Sequence, residues 1–538
     1  MSLLFESPIL TRWKRWDSGS RQRYSSYWSA IAARDPYFAS VYMTVELVFG
    51  DGTTLRLART PITTTSGIDG TVYPWEQGLV EEPEITAEVQ MGSQAAAART
   101  LTLTLPTGLV DVSALIARGA MLAGAAEVSL QVDGGDYDQR LVLMRGDMAG
   151  GVSFGNPTER LQVQISDPRM TTSLLIPDIV VDVDRWPDTA EAAVGMRYPI
   201  VINGYPWVPC LRVDDSATLH FLICKDGRDL DLTTTYVNGV VAAGGYLPAT
   251  REEMRDALGT PVLAIDFGSS AGPWEDNDSV YADVTLSAGK ASLSAVKVIE
   301  RLLQTYTSLG RAGLNPDLFS FADAQLPGHA PKILINASGD QTVSALDFVE
   351  STLLGSFPMI HMIYEGRGMG PVVIDRRLPA VTTLTGRIEL LERNTQYTET
   401  PKANVYNSFS LRYNFNAQDN TWGGTITRNA SNDDICRLSF SMVGGERPFS
   451  CIDSPVIFND ALATAVVDWL VAHYALPTYD VEWTVLPATL LRVRIGQNLQ
   501  YSDPEFNCFS DCRATVTGLT YSRGKASISL KIWHPVYA

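Results

Sequence analysis

The sequence predicts a mainly β protein with α+β insertions: two tube-like antiparallel β-barrel or sandwich domains, separated by a β-rich and a mixed α/β domain. Three observations predict it. Near the C-terminus Val481, Trp483 and Val485 alternate with Glu482 and Thr484. Leu491, Val493 and Ile495 alternate with Arg492 and Arg494, and Ala526, Ile528, Leu530 and Ile532 alternate with Ser527, Ser529 and Lys531. Successive strand side chains point to opposite faces, so each run implies one buried and one wet face. The same alternation occurs far away in sequence, between residues 40 and 170. Between these regions the apolar spacing switches to three and four, the stripe of an amphipathic helix.

Residues 1–40 form a basic and aromatic arm. From Arg12 to Arg34 its cations Arg12, Lys14, Arg15, Arg21, Arg23 and Arg34 stand against the single anion Asp17, with Trp13, Trp16, Tyr24, Tyr27 and Trp28 interleaved. Such a run suits nucleic acid or docking on an acidic neighbouring subunit with the aromatics as anchors; in so acidic a chain, docking is the expectation. Residues 41–175 read as the first tube-like β-barrel. Met43, Val45, Leu47 and Phe49 alternate before the turn Gly50-Asp51-Gly52, and Leu101 to Leu105, Val128 to Val132 and Leu161 to Ile165 repeat the pattern. Short half-buried strands between turn residues indicate an antiparallel barrel or sandwich. Residues 176–288 read as a β-rich insertion, with strand ends at Phe221 to Cys224 and Tyr236-Val237-Asn238-Gly239 and a short helix from Arg251 to Leu258.

Residues 289–395 read as mixed α/β. Val296, Ile299, Leu303 and Tyr306 form a helical stripe. Ser344 and Asp347 resemble a capping box, and Met359 to Ile374 reads as a hairpin. Residues 396–538 read as the second tube-like β-barrel with one helix. Phe409, Leu411, Tyr413 and Phe415 alternate, Asp460 to Tyr474 turns Leu462, Val466, Trp469 and Leu470 inward, and Ser522-Arg523-Gly524-Lys525 makes the last hairpin turn.

The net charge is −18, which opposes a grip on nucleic acid, because phosphate binding needs clustered Lys and Arg. It suits a surface past which nucleic acid moves without sticking. No run of about 18 apolar residues occurs, so no transmembrane helix is expected. Glu6 precedes Arg12, Lys14 and Arg15, the wrong order for a secretory leader, and assembly in the cytoplasm is expected.

Few residues suggest chemistry, and no catalytic, cofactor-binding or metal site is expected. Gly268-Ser269-Ser270-Ala271-Gly272 has the G-x-S-x-G form of a hydrolase elbow, with His329 and His361 downstream. It runs into Pro273-Trp274-Glu275-Asp276, a poor helix start, so a Gly/Ser turn is the expectation. Cys436, Cys451, Cys508 and Cys512 could hold zinc or an iron–sulfur cluster, but lack a C-x-x-C pair; Cys508 and Cys512 could instead form a disulfide outside the cell. Asp182, Asp184 and Asp188, or Glu275, Asp276 and Asp278, could bind calcium, though neither group matches an EF-hand loop. Trp75, Trp207 and Trp274 could stack on sugars.

In segment order the chain resembles the baseplate or tail-tip hub proteins of tailed bacteriophages, in all its parts after about residue 40. The resemblance rests on Phe49-Gly50-Asp51-Gly52, Ala98-Arg99-Thr100-Leu101-Thr102-Leu103 and Arg145-Gly146-Asp147-Met148, then Arg197-Tyr198-Pro199-Ile200-Val201-Ile202-Asn203-Gly204, then Leu318-Phe319-Ser320-Phe321-Ala322-Asp323-Ala324, and finally Arg494-Ile495-Gly496-Gln497 with the last hairpin. It implies a homotrimer whose two tube-like domains per chain form a pseudo-sixfold ring joining a sixfold tail tube to a threefold tip. It also implies contacts with the distal tail protein, the end of the tape measure protein and a central fibre or spike, DNA passing through the lumen, and a place in the virion tail. A β-sandwich adhesin for carbohydrate or receptor, and a tail-associated hydrolase, are the alternatives.

Overall fold

The computed structural model describes residues 26–534 except 90–93, 107–123, 149–151, 156–159, 169–172, 215–218, 244–248, 269–277, 336–341, 386–389, 393–395, 417, 504–505, 510 and 523–524. Strands dominate, with helices between them, as expected.

Helix α1 (Ser26–Arg34) precedes the first sheet. The strands that follow are β1 (Val41–Val48), β2 (Thr54–Ala58), β3 (Ile62–Thr65), β4 (Val72–Gln77), β5 (Ile85–Glu88), β6 (Thr100–Pro106), β7 (Ala125–Val132), β8 (Leu141–Asp147), β9 (Val152–Gly155) and β10 (Arg160–Ser166). They pair in the order β3-β4-β2-β1-β7-β8-β10-β6, with β9 also on β10, while β5 leaves for another sheet. The β1–β2 turn forms where Gly50-Asp51-Gly52 predicts it, closed by the Gly52 N–H on the Phe49 carbonyl at 2.9 Å.

The following strands are β11 (Leu175–Ile176), β12 (Ile200–Ile202), β13 (Tyr205–Asp214), β14 (His220–Lys225), β15 (Leu230–Val237), β16 (Val240–Val241), β17 (Thr250–Arg255), β18 (Pro261–Asp266) and β19 (Val280–Leu286). Seven of these form one antiparallel sheet, ordered β16-β15-β19-β13-β14-β18-β17. The expected helix from Arg251 to Leu258 is instead β17, an edge strand paired to β18 from Thr250↔Asp266 to Arg255↔Pro261. Glu, Met and Arg favour helix locally, but the ladder offered by β18 overrides that preference. Charge along an outer strand also blunts edge-to-edge pairing.

Next come α2 (Ala295–Tyr306), α3 (Pro316–Gln325), β20 (Ile333–Ile335), β21 (Val343–Ser344), a helical segment over residues 345–354, and the hairpin β22 (Ile360–Glu365) with β23 (Gly368–Val373). Val296, Ile299, Leu303 and Tyr306 are buried as their stripe predicts, and the Ser344 hydroxyl accepts from the Asp347 N–H at 3.0 Å. β24 (Thr382–Thr385), β25 (Leu390–Glu392), β26 (Thr398–Glu399), β27 (Ser408–Asn416) and β28 (Thr421–Asn429) lead to α4 (Asp434–Val443), β29 (Ile452–Asp453) and α5 (Asp460–Tyr474). α5 buries Leu462, Val466, Trp469 and Leu470.

β30 (Tyr479–Val485), β31 (Asn498–Ser502), β32 (Cys512–Ser522) and β33 (Lys525–Ile532) complete the last sheet, ordered β24-β31-β32-β33-β30-β25. The run Leu491, Val493, Ile495 is not a strand. Pro487–Leu491 is a 3-10 turn, and Gly496 at φ +83 brings the chain against β23, where any Cβ would meet the Val373 carbonyl at 2.7 Å. The apolar positions are buried, but in a compact turn rather than an alternating ladder.

Candidate functional site

The chain joins its two ends over one core. Val45, Leu47, Leu103, Val128 and Val163 of the first sheet lie in the same apolar cluster as Trp483, Val516, Ile528 and Leu530 of the last. β5 strengthens the junction by pairing antiparallel with β32, from Gly518↔Glu88 to Tyr521↔Ile85. The N-terminal half of β32 pairs with β31 on that same edge, so β5 continues β31. The Thr86 and Thr520 hydroxyls meet at 2.9 Å across 434 residues of sequence. At the outer rims, among the described residues, β6 pairs with β10 alone and β24 with β31 alone. Unpaired strand edges are templates for a second chain.

The second face of the first sheet departs from expectation. Alternation predicted it wet, yet Thr44, Glu46, Glu127, Ser129 and Gln131 are buried. In register, Arg56 faces Glu46, Glu46 faces Glu127, and Glu127 faces Arg145, giving one row of charge across β2, β1, β7 and β8. Like charges directly opposite destabilise a sheet, and here arginines neutralise them. Arg145 and Arg140 reach the two oxygens of Glu127 at 2.7 and 2.5 Å. Arg56 reaches Glu46 at 2.8 Å, and the Tyr137 hydroxyl donates to Glu46 at 2.8 Å. Burial alone would raise the Glu127 carboxyl, but Arg140 and Arg145 outweigh it and hold it below the usual range. Asp147, at the end of β8, has no such partner for its Oδ1, and burial pushes it up to about 6.

In the last sheet a chain of neutral groups is buried at β31 and β32, while the buried Lys531 of β33 reaches Asp480 of β30 at 2.9 Å. The Trp533 indole N–H donates to Thr515 Oγ1 at 2.8 Å, Thr515 donates to Asn498 Oδ1 at 2.5 Å, and Asn498 Nδ2 donates to the Asp375 carbonyl at 2.7 Å. His473 on α5 stacks on Trp469 at 4.0 Å. Its Nδ1 lies 2.8 Å from the Trp469 carbonyl, and its Nε2 faces the Arg376 N–H, which fits a neutral ring. Burial brings its pKa down to about 3.

The residues singled out from sequence scatter. Trp28 is fully buried in the chain's own core, its indole N–H on the Gln139 carbonyl at 2.7 Å, so it is no anchor for a neighbour; Trp13, Trp16 and Tyr24 lie outside the described residues. Trp75 is likewise buried, donating to Thr64 Oγ1 at 2.9 Å, and cannot stack on a sugar. Trp207 stacks on Tyr236 at 4.0 Å, and Trp274 lies outside the described residues. Gly268 lies two residues beyond the end of β18, whereas Ser269 to Gly272 lie outside the described residues; His361 is buried on β22.

All six thiols are free, those of Cys508 and Cys512 included. Among the described residues the clusters of metal-ligating atoms include none of Cys436, Cys451, Cys508 and Cys512. Cys436 is buried on α4, in the cluster with Phe409 and Trp469, while Cys512 opens β32 in the core shared with Trp483. Asp182 caps a turn, accepting from the Arg185 N–H at 2.9 Å. Glu275 and Asp276 lie outside the described residues, and Asp278 accepts from Asn238 Nδ2 at 2.6 Å.

Sequence reasoning missed His220, Glu252 and Asp266, whose ligand atoms lie within 4.8 Å of one another. They come from three adjacent strands, and only the registers of β14, β18 and β17 bring them together. Reading β17 as helix concealed them.

No helix among the described residues is long and apolar enough to cross a membrane. No family model matches the chain, and no curated protein matches it. Several solved structures are similar to it. The tail protein from Neisseria meningitidis MC58 shares 9% identity over 92% of this chain and 97% of that one, with a TM-score of 0.38. A chain of the native gene transfer agent virion shares 10% over 69% and 90%, at 0.42. The 43 kDa tail protein of prophage MuSo2 from Shewanella oneidensis shares 9% over 92% and 99%, at 0.37. At these TM-scores the superpositions are loose, and the functional reading rests on the chain's own sheets and core.

Proposed function

We propose that the chain is a structural, non-enzymatic hub of a phage tail tip or baseplate. Three copies close into a ring around the DNA channel, joining a sixfold tail tube to a threefold tip. The observation that carries this reading is the pair of open β sheets, drawn from opposite ends of the chain and locked over one core by β5 and β32. Two sheets per chain give three copies six positions, and their unequal edges β6 and β24 suit a heterologous contact that closes by rotation. The net charge of −18 suits a lumen through which DNA slides without being held. The distal tail protein, the end of the tape measure protein and a central fibre or spike are the partners such a ring meets.

The test is the mass of the purified full-length protein by light scattering across a dilution series. A species of three times the 58.7 kDa chain is expected, alone or once the distal tail protein is added. A monomer that stays monomeric in both conditions would contradict the proposal.

A further inference from the structure

We infer that His220, Glu252 and Asp266 form a binding site for a first-row divalent cation of the zinc type, at one corner of the seven-stranded insertion sheet. The site is independent of the ring reading. His220 and Asp266 are direct cross-strand partners on β14 and β18. Thr250 of β17 is the partner of Asp266 on its other side, so Glu252, two residues along, projects from the same face as Asp266 and His220. Farther along that face Leu222, Val262 and Met254 pack into an apolar cluster with Trp186 and Tyr198. The three donors thus stand where the apolar cover ends, on strands rather than on loops, which fixes their spacing.

Chemistry and charge agree with a cation. His220 Nε2 lies 2.9 Å from Glu252 Oε2, and all three donor atoms fall within 4.8 Å of one another. Two ligands each about 2.0–2.1 Å from a tetrahedral zinc lie roughly 3.3 Å apart, so small side-chain rotations suffice. The Gly268 N–H donates to Asp266 Oδ1 at 2.6 Å, the kind of outer hydrogen bond that orients a ligating carboxylate. Among the described residues no Lys or Arg pairs with Glu252 or Asp266. The neighbouring Arg251 instead donates to the Leu230 carbonyl and to Glu253. Two carboxylates and one imidazole leave positions open for water, and that mixed donor set suits zinc better than calcium or magnesium, which prefer oxygen alone. Such an ion would tie the edge strand β17 to β18 and β14.

The experiment is equilibrium dialysis of the full chain against Zn²⁺, with bound metal measured, for wild type, Glu252→Gln and Asp266→Asn. The Glu252 side chain is 42% exposed, so its substitution spares the core, and thermal unfolding in chelator checks that each variant folds. Wild type is expected to bind one equivalent more than either variant, with affinity at that site falling about tenfold or more. Because the chain carries six free thiols, a second measurement on wild type replaces zinc with Co²⁺. The expected spectrum shows ligand-field bands without thiolate charge transfer. Equal metal uptake in wild type and variants, no uptake at all, or a cobalt spectrum dominated by thiolate would each overturn the inference.

Discussion

The first and last sheets share one core, yet a row of ions crosses the middle of one and a chain of neutral groups the middle of the other. Across the first runs a row of ions, Arg56, Glu46, Glu127 and Arg145, closed by Arg140 and Tyr137. Through the last runs a chain of neutral groups, Trp533, Thr515 and Asn498, with neutral His473 against Trp533 at 4.7 Å. Both arrangements give buried polar groups partners inside the fold, but they fail differently. Removing one member of the ionic row leaves a charge stranded in the interior, whereas removing one neutral group strands a dipole. The first sheet is therefore the more brittle of the two.

Substitution breaks the comparison most sharply at Glu127. Glu127→Gln takes away the carboxylate that the buried Arg140 and Arg145 share, and a loss of about 3–5 kcal/mol is expected in urea unfolding at pH 7.5 and one fixed protein concentration. The folded pKa of Glu127 lies below its unfolded value. Its contribution is therefore full above the unfolded carboxylate range and lost as pH falls through the folded value, so the gap between variant and wild type should close in strong acid.

The next effect comes from His473. Its folded pKa of about 3 lies below the unfolded value, so the unfolded chain binds the extra proton between the two and stability falls as pH drops below about 6.5. Between pH 7.5 and pH 5 the wild type should lose about 2 kcal/mol that His473→Gln does not lose. Parallel pH profiles for the two proteins would show that the ring is not held neutral. The smallest effect is Thr515→Val, which unpairs the Trp533 N–H and Asn498 Oδ1 and should cost about 1–2 kcal/mol with little dependence on pH. A cost for Thr515→Val equal to that of Glu127→Gln would erase the distinction between the two sheets.

Much of the fold was legible in the sequence where local pattern and tertiary contact agree. Met43 to Leu47, Leu101 to Leu105 and Ala526 to Ile532 alternate and form β1, β6 and β33. Asp460 to Tyr474 carries its stripe inward as α5. Local pattern failed where register decides the outcome. Thr250 to Arg255 contains good helix formers, yet pairs with β18. Leu491, Val493 and Ile495 alternate by coincidence in a buried turn. The polar residues between Met43 and Val132 promised a wet face, because nothing local shows that Glu46 and Glu127 meet three arginines. β5 crossing to β32 was equally hidden, since its partner lies over 400 residues away. For the same reason the cluster of His220, Glu252 and Asp266 has no sequence signature: its three strands are brought together only by the folded sheet.

The central claim is that both sheets of one chain build a ring together, and cryo-electron microscopy of the assembled particle tests it most directly. The account predicts three copies around a central channel, with the β1–β10 sheet and the β30–β33 sheet alternating in six positions about it and meeting between chains at β6 and β24. A ring in which only one of the two sheets approaches the axis, or a particle without a channel, would contradict it.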